Sequence, residues 1–159
     1  MKKGIFIPAF IIGIAIGIGL LIYFGASISS TYPPIKKYEY PSTFSQLISA
    51  IHNYASIDSA ITFKITDTTG YKEDGYAIYL DIETKINRSN IEYDIKCEEH
   101  NSNDNLYKTE ISLVGAIDKT LIIGGYSKDA KGIKPLVDEF DLNVIKPLND
   151  NQNIKIIPL

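Results

Sequence analysis

Hydrophobic positions divide the chain into one unbroken apolar run and a long stretch of alternating ones. From Gly4 to Ile28 the sequence GIFIPAFIIGIAIGIGLLIYFGASI holds 25 residues without a charge. Wound as a helix it would be about 37 Å long, enough to cross a hydrocarbon layer of about 30 Å with some tilt. A backbone in lipid must satisfy its own hydrogen bonds, so a helix is the form expected. Pro8 falls near the start, where a missing N–H costs least. Tyr23 and Phe24 fall near the outer end, where aromatic rings favour the interface. A cleaved signal peptide is the competing reading, with Lys2-Lys3 as its charged region and Gly25-Ala26-Ser27 as its small residues. The run exceeds the usual apolar core of about 7–15 residues, so an uncleaved anchor is expected. Ala9, Gly13 and Gly17 recur every four residues, and Ala15 and Gly19 form a second small pair. Such spacing lets two helices approach closely in lipid, which makes these residues candidates for self-association. Lys2 and Lys3 lie close to the run and Lys36 and Lys37 lie farther beyond it. This bias puts the amino terminus in the cytoplasm and the remainder outside, in a single-pass protein of the cell membrane.

After the run, Ser29 to Pro41 (SSTYPPIKKYEYP) reads as an extended spacer around Pro33-Pro34. Ser42 or Thr43 can cap a helix whose apolar stripe is Phe44, Leu47, Ile48, Ile51 and Tyr54. From Ala60 the period becomes two. Ile61–Thr66 is a short strand, and 67–75 is dense in turn formers. In Tyr76–Ile86 the residues Tyr76, Ile78, Leu80, Ile82 and Ile86 oppose Tyr79, Asp81, Glu83 and Lys85. After a turn at Asn87–Asn90, Ile91, Tyr93, Ile95 and Cys97 oppose Glu92, Asp94, Lys96 and Glu98. Leu106–Val114 alternates again, Gly115–Asp118 reads as a turn, and Thr120–Tyr126 as a further strand. Leu136, Val137 and Phe140 share a helical face behind Pro135. The last residues suggest a hairpin, Leu142–Ile145 with Asn153–Ile157.

Strands this close in sequence form antiparallel meanders, and one apolar face per strand implies cover on one side only. The expected fold is therefore α+β: an N-terminal transmembrane helix, then one amphipathic helix on a curved antiparallel β-meander, with a β-sandwich as the alternative. The division expected is 1–28 for stub and anchor, 29–41 for the linker, and 42–159 for the extracytoplasmic domain.

Composition sharpens this picture. The 159 residues are 45% apolar and 22% charged, which excludes a disordered tail, a collagen and a disulfide scaffold. Only one stretch is long and apolar enough to span a bilayer, which excludes a polytopic channel. Residues 41–159 carry 12 basic and 18 acidic residues, a net charge of −6. Such a domain repels phosphate backbones, so nucleic acid is not an expected partner. Arg88 is the sole arginine, which disfavours a phosphate fork.

Candidate chemistry is sparse. No nucleophile elbow, phosphate-binding glycine loop or His-Glu-x-x-His motif occurs. The carboxylates Asp81 with Glu83, and Glu92 with Asp94, share a face on each strand; they read as glycosidase-like acids or as a solvated face beside Lys85 and Lys96. Asp67, Glu73 and Asp74, or the run Asn101–Asn105, offer oxygen ligands for calcium, though turns hold such residues for backbone reasons alone. Asn87-Arg88-Ser89 is the single glycosylation sequon, with Asn87 the candidate acceptor. No catalytic or metal residue is assigned and no cofactor is expected.

Two short patterns resemble known families. His52, Cys97 and His100 follow an order that resembles blue-copper proteins, which would imply one copper ion held by two His and a Cys. The chain departs from that pattern: Met1 is its only Met, and 59 residues follow the Cys-His pair. Lys2-Lys3-Gly4 before a long apolar helix resembles the leader of pilin-type precursors, which would imply cleavage after the small residue and packing into a filament. Here no acid lies early in the helix, and Pro33-Pro34 interrupts its continuation. The expectation is thus a non-enzymatic, membrane-anchored protein held through residues 4–28. Its acidic domain would serve protein interaction or ligand binding; a pilin-like subunit is the alternative, and a copper or calcium module the weaker one.

Overall fold

The period-two stretches become neighbouring strands. The computed structural model describes residues 32–69, 77–86, 88–101 and 107–159, and Tyr32–Leu159 forms one unit. Among the described residues no helix is long and apolar enough to cross a membrane. The expected span, with Ala9, Gly13, Ala15, Gly17 and Gly19, lies outside them.

Strands β1 (Lys36–Tyr40), β2 (Ile61–Thr69), β3 (Ala77–Ile86), β4 (Ser89–Asn101), β5 (Tyr107–Asp118), β6 (Ile123–Gly125) and β7 (Ile157–Pro158) make one curved antiparallel sheet. Its order is β2–β3–β4–β5–β1–β7, with β6 beside the end of β5. A single sheet with helices on one face is the α+β layer, not the β-sandwich alternative.

Helix α1 (Phe44–Ile57) starts where the sequence places it. Thr43 accepts the Gln46 N–H at 3.4 Å, and the Glu99 carboxylate accepts the Phe44 N–H at 2.7 Å. Its buried stripe is Phe44, Leu47, Ala50, Ile51 and Tyr54. These pack against Leu80, Ile82, Tyr93, Ile95 and Cys97 from the inner sheet face in one core.

Three readings need correction. Residues 36–40 are no spacer: β1 lies between β5 and β7. Tyr38 and Tyr40 point into the core, and the Tyr38 hydroxyl donates to Asp141 Oδ1 at 2.6 Å. Lys36 pairs with the same Asp141, and Lys37 with Glu110 at 2.6 Å. Gly115–Asp118 is no turn either. β5 continues to Asp118 through a bulge opposite Asp94 and Ile95, which realigns its faces so that Ala116 and Asp118 point inward. The turn comes later, at residues 119–122, and only Ile123–Gly125 is strand.

The helical face read behind Pro135 is α2 (Ile133–Phe140). The expected C-terminal hairpin does not form: Leu142–Ile145 falls in a π-helical turn (Asp141–Ile145) that runs on into α3 (Lys146–Gln152). Ile133, Leu136, Phe140, Val144 and Leu148 are all buried. From Leu136 onward the steps are four residues each and overshoot the 3.6-residue period, so an unbroken α-helix would rotate this stripe away from the sheet. The wider π turn absorbs the drift, with the Lys146 N–H reaching back to the Asp141 carbonyl. Pro147 follows and brings no N–H, which costs less where the ladder has already shifted. Asn153, in the left-handed region, ends the helix (φ 51°). Asn149 then clasps Ile156 through both its amide oxygen (2.8 Å) and nitrogen (3.0 Å), returning the tail to β1.

Candidate interaction face

The strands that bury Leu80 and Tyr93 turn their alternate residues outward. On this outer face Asp81 stands opposite Asp94 in register, and Glu83 opposite Glu92. Sequence alternation places each pair on its own strand; the β3–β4 register turns them into a block of four carboxylates. Lys119 reaches over from the turn after β5, with Nζ 2.5 Å from Glu83 and 2.6 Å from Glu92. That bond holds the Glu83 carboxyl below its ordinary value. Lys64, opposite Asp81 on β2, is the neighbour that opposes its charging penalty.

Asp81 and Asp94 are left in a less favourable setting. Partial burial raises the Asp81 carboxyl first, followed by the charge of Asp94, a hydrogen bond between the two, and the charge of Glu92. Together these move it to about 6. Asp94 Oδ2 is buried and takes no hydrogen bond among the described residues. Beside it, Gly115 makes the space: a Cβ there would meet Asp94 Oδ2 at 2.5 Å and the Tyr126 ring at 2.6 Å. Tyr126 lies over that gap and stacks on Tyr32, with ring centroids 4.6 Å apart. Burial, and then the Asp94 carboxylate, push the Tyr126 phenol upward.

The β1–β5 side of the same face is different. Lys37 pairs with Glu110, and Lys108 with Glu39 at 2.8 Å. The Lys37 bond holds the Glu110 carboxyl below its ordinary value. Charge there is matched pairwise, whereas Asp81 and Asp94 face one another.

The other candidates are dispersed. His52 is exposed on α1, its ring edge-on to Phe63 at 6.2 Å. Cys97 is a free thiol on the inner face, pushed up to about 12 by burial. His100 is exposed on β4, opposite Lys108 and not in a turn. The three residues of the copper pattern are therefore not brought together. Asp67 is exposed on β2; Glu73, Asp74, residues 102–105 and Asn87 lie outside the described residues. Among the described residues no group of three or more His, Cys, Asp or Glu is arranged to hold a metal ion. An apolar cavity of about 10 Å³ between α1, the sheet and the C-terminal helices is lined by Leu47, Ile95, Cys97 and Phe140 among others. It has room for about one water and offers no polar partner, so it is a packing defect and not a ligand site.

The arrangement can hold a proton between two carboxylates and attract a cationic group across an open surface. Compared with protein family models, with curated proteins and with solved structures, the chain has no match.

Proposed function

We propose that this protein is a single-pass, membrane-anchored protein that holds an acidic interaction domain outside the cell. The observation that carries the reading is the uncharged run from Gly4 to Ile28, placed immediately before a separately folded unit that begins at Tyr32. The outer sheet face supports the second half. Its carboxylate block, unmatched around Asp81 and Asp94, suits a partner that brings Lys or Arg side chains. The role proposed is binding and not catalysis.

Protease added to intact cells tests this. The expected result is loss of the domain and a short cell-bound stub. A domain that resists until the cells are lysed would overturn the proposed topology.

A further inference from the structure

The sheet ends at β2, whose outer edge pairs with no strand among the described residues. The opposite end is blunted, because β7 is two residues long and one of them is Pro158. β2 is nine residues long, and its sequence ITFKITDTT is rich in β-branched residues. Lys64, Thr66, Asp67 and Thr68 are exposed. Ile65 lies on the inner side of the sheet, opposite Leu80, yet it is 44% exposed.

One bond shows which backbone groups face the open edge. The Lys85 N–H donates to the Ala60 carbonyl at 2.8 Å, so residue 60 faces β3. Antiparallel ladders alternate, so Thr62 and Lys64 also face β3, while Phe63 and Ile65 turn their N–H and C=O groups outward. β2 then takes one extra residue. Ile65 stands opposite Leu80 and Asp67 opposite Tyr79, which leaves Thr66 as a bulge. Beyond the bulge Thr68 is the next residue to face outward, and its N–H bonds the Asp67 carboxylate at 2.7 Å instead of a strand.

The bulge also changes which side chains share a face. Lys64 and Asp67 are three residues apart and would lie on opposite faces of a regular strand. Here they stand opposite Asp81 and Tyr79, both on the outer face. Set antiparallel to a copy of itself about a two-fold axis at the bulge, β2 is therefore self-complementary. Phe63 falls opposite Thr68 of the second copy; both belong to the inner side and both aim their backbone groups at the edge. Lys64 falls opposite Asp67 and Asp67 opposite Lys64, in the non-hydrogen-bonded positions where side chains come closest. The two Ile65 side chains meet beside the axis. Slipping this register by one residue would set inner-side residues against outer-side ones.

We infer that β2 is a dimerisation edge, along which two copies of this chain join antiparallel through Phe63–Thr68 into one continuous sheet. The contact uses the same patch on both copies, so it closes at two. On pairing, the Thr68 N–H passes from Asp67 to the Phe63 carbonyl of the second copy, and the Asp67 carboxylate is released to Lys64. The axis stands perpendicular to the sheet, so the two carboxylate blocks share one outer face. The inference stands on the domain alone and is independent of the anchor reading.

The full chain carrying Ile65→Cys, in its native membranes, is treated with a short bismaleimide. Leu121→Cys, exposed and remote from β2, is the control, and the buried Cys97 is common to both. Crosslinked dimer is expected at about fivefold or more above the control. Adding Asp67→Lys to Ile65→Cys sets two lysines against two lysines and should lower the yield about fivefold. The yield should return when Lys64→Asp is added to the same chain, or when chains carrying each single charge change are expressed together. A yield from Ile65→Cys no higher than the control would overturn the dimer edge, with Lys64 and the bulge serving to blunt it. Crosslinking that is insensitive to Asp67→Lys, or that neither compensating arrangement restores, would overturn the register.

Discussion

The inner and outer faces of β3 and β4 are made by the same residues' neighbours, and they obey different rules. Inward, Leu80, Ile82, Tyr93 and Ile95 are nearly inaccessible and their value lies in packing. Outward, Asp81, Glu83, Glu92 and Asp94 sit one residue away and oppose each other across the strands. Like charges directly opposite one another destabilise a sheet. The inner face therefore holds the fold, and the outer face carries a penalty at Asp81 and Asp94 that the fold tolerates, while Lys119 offsets the charges of Glu83 and Glu92. That asymmetry is the reason to look for a partner on the outer face.

The comparison can be broken most forcefully from the inside. Leu80→Ala should cost about 3 kcal/mol, because the methyl groups lost leave a cavity under α1. Tyr79→Ala, the next residue but on the outer face, should change stability by only about 0.5 kcal/mol. Denaturant melts of the two variants read the difference directly, and equal losses would deny that the faces differ.

Gly115→Val tests the join between the faces. The new side chain meets Asp94 and the Tyr126 ring, so Tyr126 must leave its stack on Tyr32. A loss of about 1–3 kcal/mol is expected, together with a shift in the tyrosine near-ultraviolet circular dichroism. Tyr38→Phe removes the hydroxyl that donates to Asp141 and should cost about 1.5 kcal/mol. The same melts check it.

The smallest effect has the opposite sign. Asp81 titrates near 6 in the fold, against 3.8 for the ordinary side chain. Between those values the native state holds more protons than the unfolded chain, so stability falls as pH rises across the window. Below the window the penalty is absent, and above it the penalty is complete. Asp81→Asn should therefore stabilise the domain by a few tenths to about 1 kcal/mol at pH 7.5 and leave it unchanged near pH 3.5. A destabilised variant at pH 7.5 would show that Asp81 is held by favourable partners.

The same division explains what could be read from residues alone. Strict alternation gives β3 and β4, and the Phe44–Tyr54 stripe gives α1, because each repeats one period without interruption. β1 was legible only in Tyr38 and Tyr40; the prolines and paired lysines around them signal a spacer more strongly. Pro135 and the face of Leu136 and Phe140 signalled α2, but the helical turns beyond it were hidden by Pro147 and by steps of four, which fit the α period only once a π turn is inserted. On the outer face, the residues of each acidic pair were visible as neighbours. Their opposition across β3 and β4 was not, because register depends on the turn between them. Nor was the space Gly115 leaves for Asp94, since that alignment depends on the β5 bulge.

The central claim is that residues 4–28 stay in the bilayer as a permanent tether. Washing native membranes with alkaline carbonate tests it most directly. The account predicts that the intact chain, with its first thirty residues, remains in the pellet. Release of that same intact chain into the supernatant would contradict it.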